Sequence, residues 1–519
     1  MSSVFDQAFG LSQMILESVV SQGILMIDEI DSDTTNIYEA EPLLFLNSLS
    51  ITQSNNVKLI FFDTPRASKR KGVNLYLLND NGVVINKEIN LEDPNYKFIL
   101  TANILAYARL TNSILKEDGL ILAVTTPEIY LIVRGAFEHF MGSDKFLGEI
   151  VYQSRSGGGS DSKYMSIDHE ILIVLSKNPD TISKFQIQKT NSELQKYSLS
   201  DEISPYYWDT YIRKQARNYY PIKAPDGTIL ELDQDGNNIS WLWREQTYLE
   251  KLKAKEVKFE KLNGKWKLYY KDRLKEFKIL RSISLNATSL NEISPNVPND
   301  LGGSDLLNSL GSKEIKSYNG DKPDYLKPST FYKFIFSTFN ISNELIIIPF
   351  NENGSALKAL NDPIFSGYKL ILNSSHEVIN LLNWRIEQEG IKHKVSFKKN
   401  EILKLKDFFT NENINYTMVE KLVTIKFNIL ESWSDFKNER MNLSHSTKGD
   451  KLYLIIKKLN FENINELVVE VKKILKLFKL NEIIIFSEYN DNKLLNKLFI
   501  DSDSSKNYTY FEIPFGFLK

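Results

Sequence analysis

Near the N-terminus, Phe5, Ala8, Phe9, Ile15, Leu16, Val19 and Val20 recur every three to four positions. That spacing predicts an amphipathic helix whose apolar stripe packs on the chain's own core, with a partner helix as the alternative. The pattern then changes to short apolar runs that end in polar residues. VKLIFFD, Val57–Asp63, reads as a buried parallel strand whose carboxyl end opens into a site. Residues 105–114 return to helical periodicity, and KEDG at 116–119 is expected to end that helix with Gly119 as its cap. LILAVTT at 120–126 repeats the strand pattern, and a second helix over 128–140 closes at Met141-Gly142. Strands alternating with helices predict a doubly wound parallel sheet.

From Val151 the texture is Gly- and Ser-rich, YQSRSGGGSDSKY, with Arg155 and Lys163 inside, which reads as a mobile loop over a surface. An aromatic and basic stretch follows at 206–220. Residues 285–323 have the Asn, Ser, Gly and Pro content of a linker. The sheet pattern resumes with ELIIIPF at 344–350, which runs into NENGSA and a helix, and with KLILN, Lys369–Asn373. Beyond 391, strands are expected at 422–427, 452–456 and 482–486, with basic helices at 398–408 and 468–479.

A chain of 519 residues accommodates about three or four domains. With 42% hydrophobic and 25% charged residues it can bury a core throughout. Lys and Arg number 64 against 66 Asp and Glu, so a nucleic-acid surface has to come from local clustering. Residues 243–281 supply such a cluster: 13 Lys or Arg against 6 Asp or Glu, with Trp243, Trp266, Tyr269 and Tyr270 among them. Cations mixed with aromatics suit nucleic acid, and a solvated helical face is the alternative. The absence of Cys excludes disulfides, thiolate metal sites and Cys nucleophiles, and five scattered His predict no metal centre. No basic leader precedes an apolar core in MSSVFDQAFG, and no apolar run reaches about 18 residues, so a soluble cytoplasmic protein with no membrane partner is expected.

Several ordered segments carry a resemblance. They are KLIFFDTPR at 58–66, the helix, strand and helix of 102–142, YMSIDHEILIVLSKN at 164–178, YYPIKAPDGT and WLWREQTYLEKLKAKEVKF in the basic region, and LKPSTFYKFI at 326–335. In this order they resemble the adenine-N6 DNA methyltransferase (Mod) subunits of type III restriction-modification systems. The resemblance is to the permuted class, whose catalytic half precedes its cofactor half, and it extends over most of 38–390. It implies a Rossmann-like methyltransferase core in two pieces, 1–150 and 301–390. These flank a mixed α/β target-recognition region at 151–300, and a small C-terminal α/β interaction domain follows at 391–519.

The motifs that carry the family's chemistry are altered. Its D-P-P-Y loop accepts hydrogen bonds from the adenine amino group and stacks an aromatic ring on the flipped base. This chain has Asp63-Thr64-Pro65-Arg66, with a cation where the ring belongs. The glycine-rich turn that admits S-adenosylmethionine corresponds to Phe350, Asn353, Gly354 and Ser355, with Pro349 in place of the acid and Gly354 displaced by one position. Glu377 loosely matches the ribose-binding acid, or starts a helix. AEPLLFLNSL at 40–49 resembles the family's G-D-N segment and leucine-rich helix, with G-D-N replaced.

The resemblance therefore implies a catalytically silent subunit that pairs with an active paralogue in a bacterial, nucleoid-associated complex. It would help bind double-stranded DNA while the partner holds S-adenosylmethionine. DNA contacts are expected from Arg155, Lys163, Arg213, Lys214, Arg217, Arg244, Lys265 and Arg273, with base readout from Arg213, Arg217 or Arg244. Two alternatives are an active adenine-N6 methyltransferase using Asp63 and an adaptor whose C-terminal domain recruits a restriction or other defence subunit.

Overall fold

The computed structural model describes residues 2–25, 27, 34–52, 55–67, 71–155, 165, 167–189, 194–233, 236–275, 277–280, 308–320, 326–339, 344–350, 354–365, 369–373, 376–391, 394–398, 402–403, 420, 423–424, 434–437, 441–448, 451–459, 482–487 and 507–512. Two compact units emerge. Met1–Ser183, Arg281–Asn286 and Ser304–Lys519 form the first, and Lys184–Leu280 with Ala287–Gly303 the second.

The first unit is built on an eight-stranded sheet. In chain order its strands are β1 (Thr34–Tyr38), β2 (Val57–Asp63), β3 (Leu115–Thr125), β4 (Phe146–Gln153), β5 (His169–Ser176), β6 (Leu345–Ile348), β7 (Lys369–Asn373) and β8 (Lys394–Lys398). Their spatial order is β8-β1-β7-β6-β2-β3-β5-β4. Every pairing from β8 to β3 is parallel, and β5 runs against both β3 and β4. Val57, Leu59, Ile60, Phe61 and Phe62 of β2 are all fully buried, as a strand covered on both faces requires. The late strands β6 and β7 insert between β1 and β2, so the sheet's centre is assembled from distant parts of the chain.

Helix α1 (Ser2–Gln22) buries Ala8, Leu11, Ile15, Leu16, Val19 and Val20 and packs on α3 (Tyr96–Ile114), so its stripe is core. Further helices among the described residues of this unit are α2 (Pro42–Thr52), α4 (Tyr130–Met141), α5 (Asn308–Glu314), α6 (Ser329–Thr338), α7 (Ser355–Leu360) and α8 (His376–Gln388). None of the helices among the described residues is long and apolar enough to cross a membrane.

Several expectations are corrected. Helix α3 ends at Ile114, and Gly119 lies inside β3 instead of capping it. A Cβ there would lie 2.9 Å from the Lys116 carbonyl and 3.0 Å from that of Val57, so the glycine permits close strand approach. Strands β4 and β5 belong to the main sheet, which moves the start of the second unit from 151 to 184. The expected linker contains α5, and Ile315 just beyond it packs with Leu326 and Leu381. Among the described residues after 391, β8 is the sheet's edge strand, and Val423, Tyr453, Ile455 and Ile484 join the same buried cluster as α1. Of the helix expected at 398–408, only 398, 402 and 403 are described: Lys398 ends β8, and Ile402–Leu403 pairs with Ile24–Leu25, a tertiary pairing that overrides local spacing there. Of the strand expected at 422–427, only Val423 and Thr424 are described, and both are helical. Strands Lys451–Leu459 and Glu482–Ser487 lie where expected, in a five-stranded mixed sheet. The expected features at 156–164, 285–307 and 468–479 lie outside the described residues.

The second unit carries a four-stranded antiparallel sheet in the order Leu199–Ser200, Pro205–Thr210, Lys265–Arg273, Val257–Leu262. Asn263 and Gly264 join the last two strands with φ of 49° and 79°, the paired left-handed residues of a type I′ hairpin. One face of the sheet covers a core of Tyr211, Ile222, Trp241, Tyr248, Val257 and Leu268.

Candidate functional site

Asp63 is the last residue of β2, at the carboxyl edge of the sheet where open α/β folds place their ligands. The loop beyond it is pinned at both ends. Thr64 donates its backbone N–H and its hydroxyl to the Val124 carbonyl, at 3.1 and 2.6 Å, and the Ala67 N–H donates to the Tyr96 hydroxyl at 3.0 Å. So held, Arg66 turns inward, and its guanidinium reaches Glu170 Oε1 at 2.5 Å.

Glu170 is the second residue of β5, and the antiparallel register sets it opposite Tyr152 of β4. The Tyr152 hydroxyl donates to Glu170 Oε2 at 2.6 Å. Lys327, just before α6, brings its Nζ to 2.7 Å from the same oxygen and 3.6 Å from Asp63 Oδ2. Side-chain exposure is 8% for Arg66, 4% for Glu170, 1% for Lys327 and 13% for Asp63. Two anions and two cations thus balance in a nearly dry cluster, and only such mutual satisfaction offsets the several kcal/mol that burying each ion costs.

The titration of these groups follows from that arrangement. Burial alone would raise the Glu170 carboxyl, but Lys327 and Arg66 pull it well below the carboxylate range. Burial raises Asp63, and Lys327 and Arg66 offset this only in part. For Arg66, burial opposes the charge, but Glu170 and Asp63 outweigh it and hold the guanidinium protonated. The Tyr152 phenol is pushed up by burial and by the Glu170 charge. Chemically, Asp63 faces an ammonium, and the fourth loop position is a buried guanidinium. The loop itself, Asp63 to Arg66, offers no aromatic ring on which a base could stack.

At the neighbouring strand end, β6 runs through Pro349 to Phe350, whose ring packs edge-on against Phe62 at 5.2 Å and Tyr107 at 5.0 Å. Asn353 lies outside the described residues. Gly354 adopts φ +69°, and a Cβ there would meet Leu382 Cδ2 at 2.4 Å and Arg385 Cδ at 3.1 Å. This glycine serves close packing of α7 on α8. The Ser355 hydroxyl donates to Glu314 Oε2 at 3.2 Å and accepts from the fully buried Arg385 at 3.3 Å. Arg385 also pairs with Glu314 and Glu389. Glu377 lies in the first turn of α8.

Of the DNA-contact candidates, Lys163 lies outside the described residues. Arg155 is exposed just beyond β4, which ends at Gln153. In the second unit Arg213 donates to Asp209 at 2.6 Å and to the carbonyls of Thr210 and Ile212, while Arg273 is clamped by Asp201 and Glu256. Those two guanidiniums brace the fold. Lys214, Arg217, Arg244 and Lys265 are exposed.

Sequence reasoning finds the Asp63 loop but assigns no role to Glu170, Lys327 or Tyr152, although the H-E and L-K-P segments carry part of the resemblance. It also misses Glu314 and Arg385. The i,i+4 spacing of Arg385 and Glu389 is the available signal.

No family model matches the chain. It is 23% identical over 249 residues to the type II methyltransferase M.KpnI of Klebsiella pneumoniae, a match covering 43% of this chain and 56% of that protein, so the chain spans little more than half of the curated relative it matches. Among solved structures, a putative DNA modification methylase from Thermus thermophilus, complexed with S-adenosyl-L-methionine, aligns with 70% of this chain and all of its own at 9% identity and a TM-score of 0.34. The cytosine-N4-specific PvuII DNA methyltransferase aligns with 77% of this chain and 96% of its own at 10% identity, also with a TM-score of 0.34.

Proposed function

We propose that this chain is a methyltransferase-like subunit of a site-specific DNA adenine-N6 modification complex. In this reading it does not catalyse, and it lends DNA binding and target recognition to an active paralogue. The observation that carries the reading is the buried cluster of Asp63, Arg66, Glu170 and Lys327. An adenine entering this edge would have to expel a guanidinium that neutralises Glu170, leaving a buried carboxylate short of a partner. Asp63 would have to leave its ammonium to accept the amino hydrogens.

The described residues at the second strand end do not fit S-adenosylmethionine either. Pro349 offers no carboxylate, Gly354 is closed by Leu382 and Arg385, and the Ser355 hydroxyl is engaged by Glu314 and Arg385. In this reading the cofactor is held by the partner. Similarity to a DNA methyltransferase over 249 residues supports the substrate class. The chain order of the sheet, with β1 to β5 preceding β6 and β7, supports the permuted, type III-like assignment. The exposed Lys214, Arg217, Arg244 and Lys265 would neutralise phosphates, and Arg213 and Arg273 would hold the second unit in shape.

The test uses the complex with the paralogue that carries D-P-P-Y. Asp63→Asn in this chain is expected to leave the methylation rate unchanged. A fall of about a hundredfold or more, the scale expected of a group acting directly on the reacting atoms, would make Asp63 a catalytic residue and overturn the reading.

A further inference from the structure

Alternation along the four-stranded sheet of the second unit sorts its side chains into two unlike faces. Val257 and Leu268 point to the buried core. By register the opposite face carries Tyr206, Trp208 and Tyr269, all half-buried, on neighbouring strands. The cations of that face are Lys258, Lys265, Lys267, Lys271 and Arg273, against a single acid within the strands, Glu260.

The cations and rings interleave. Lys271 Nζ sits 4.5 Å from the centre of the Tyr206 ring, and Lys258 lies between Trp208 and Tyr269 at 5.1 and 5.3 Å. Tyr206 meets Trp208 edge-on at 5.7 Å. Asp201 and Glu256 clamp Lys271 and Arg273, which fixes the platform in place. Toward the hairpin, Lys265 and Lys267 are exposed and engage no acid among the described residues.

We propose that this face binds an unpaired polynucleotide strand, stacking bases on Trp208 and Tyr269 and leading its phosphates toward Lys265 and Lys267. Duplex DNA presents its phosphates outward and keeps its bases stacked on one another, so it has no use for a row of rings. An unpaired strand uses both the rings and the cations. The inference rests on the reading of this unit as a DNA-binding one and deepens it.

The experiment measures fluorescence anisotropy of the full chain with a labelled oligothymidylate, an oligoribouridylate, an abasic strand of equal length and a duplex. Binding of both oligonucleotides with bases, and about tenfold weaker binding of the abasic strand, is expected. Trp208→Ala with Tyr269→Ala should weaken the oligothymidylate about tenfold and leave the duplex unchanged, and Trp208→Phe should retain most of the affinity. Should the double variant unfold, Lys267→Glu alone, at an exposed position outside the residues assigned to duplex phosphates, is expected to weaken single-strand binding and spare the duplex. Equal affinity for abasic and base-bearing strands, or parallel losses for single strand and duplex, would overturn the stacking platform while leaving duplex recognition standing. Oligonucleotide binding by a chain that also methylates DNA unaided would refute the proposed function and leave the platform intact.

Discussion

At the scale of single residues, the cluster around Glu170 determines how the sheet edge behaves. Removing one partner of a buried charge group leaves the others uncompensated, so Glu170→Gln is expected to cost about 3–5 kcal/mol in urea unfolding. A loss no greater than a surface substitution's would mean that water reaches these charges. The pH dependence has a definite sign. The folded value of Glu170 lies below its ordinary 4.5, so the stability it contributes is complete above 4.5 and drains away as pH falls toward the folded value. Asp63 runs the other way. Its folded value is above the ordinary 3.8, so its contribution is complete below 3.8 and is lost as pH rises through the folded value. Glu170→Gln should therefore flatten the fall in stability below 4.5, measured as urea midpoints across the acid range. Asp63 is legible in the sequence because a strand ends on it. The cluster is not, because Arg66, Glu170 and Lys327 come from three distant segments, and no local pattern tells which ions will meet.

At the scale of elements, periodicity reports what buries and misses what caps. Helix α1 and strands β2, β6 and β7 are readable from apolar spacing, since each is covered by the core. Gly119 and Gly354 mislead, because a glycine reads alike as a helix cap, a cofactor turn or a point of close packing, and only the neighbours decide which. Gly354→Ala would combine a left-handed backbone with a contact at 2.4 Å, and a loss of about 1–3 kcal/mol is expected in thermal unfolding. Adding Leu382→Ala should not restore stability, because the backbone strain persists and a new cavity adds its own cost. Ile15→Ala in α1 should cost about 2–5 kcal/mol as a cavity in the main core. A near-neutral result there would return the helix to the role of a partner-docking element.

At the scale of the whole molecule, a net charge of −2 conceals an uneven distribution. Basic residues gather in the second unit, where some brace the sheet and others remain exposed. Replacing Lys214, Arg217 and Arg244 with alanine is expected to make the dependence of log duplex affinity on log salt shallower by about 0.9 for each phosphate that is no longer neutralised. An unchanged slope would remove these residues from the phosphate surface. The division at 184 instead of 151, and the union of the C-terminal strands with the main core, could not be read from composition. Boundaries there are set by which strand pairs with which, and β4, β5 and β8 find their places only in the assembled sheet.

In the proposed function, the edge that would serve methyl transfer is a closed, charge-balanced support. Calorimetric titration of S-adenosylmethionine into the purified full chain tests this most directly. No saturable heat is expected up to millimolar ligand. Stoichiometric binding in the micromolar range, displaced by S-adenosylhomocysteine, would contradict it.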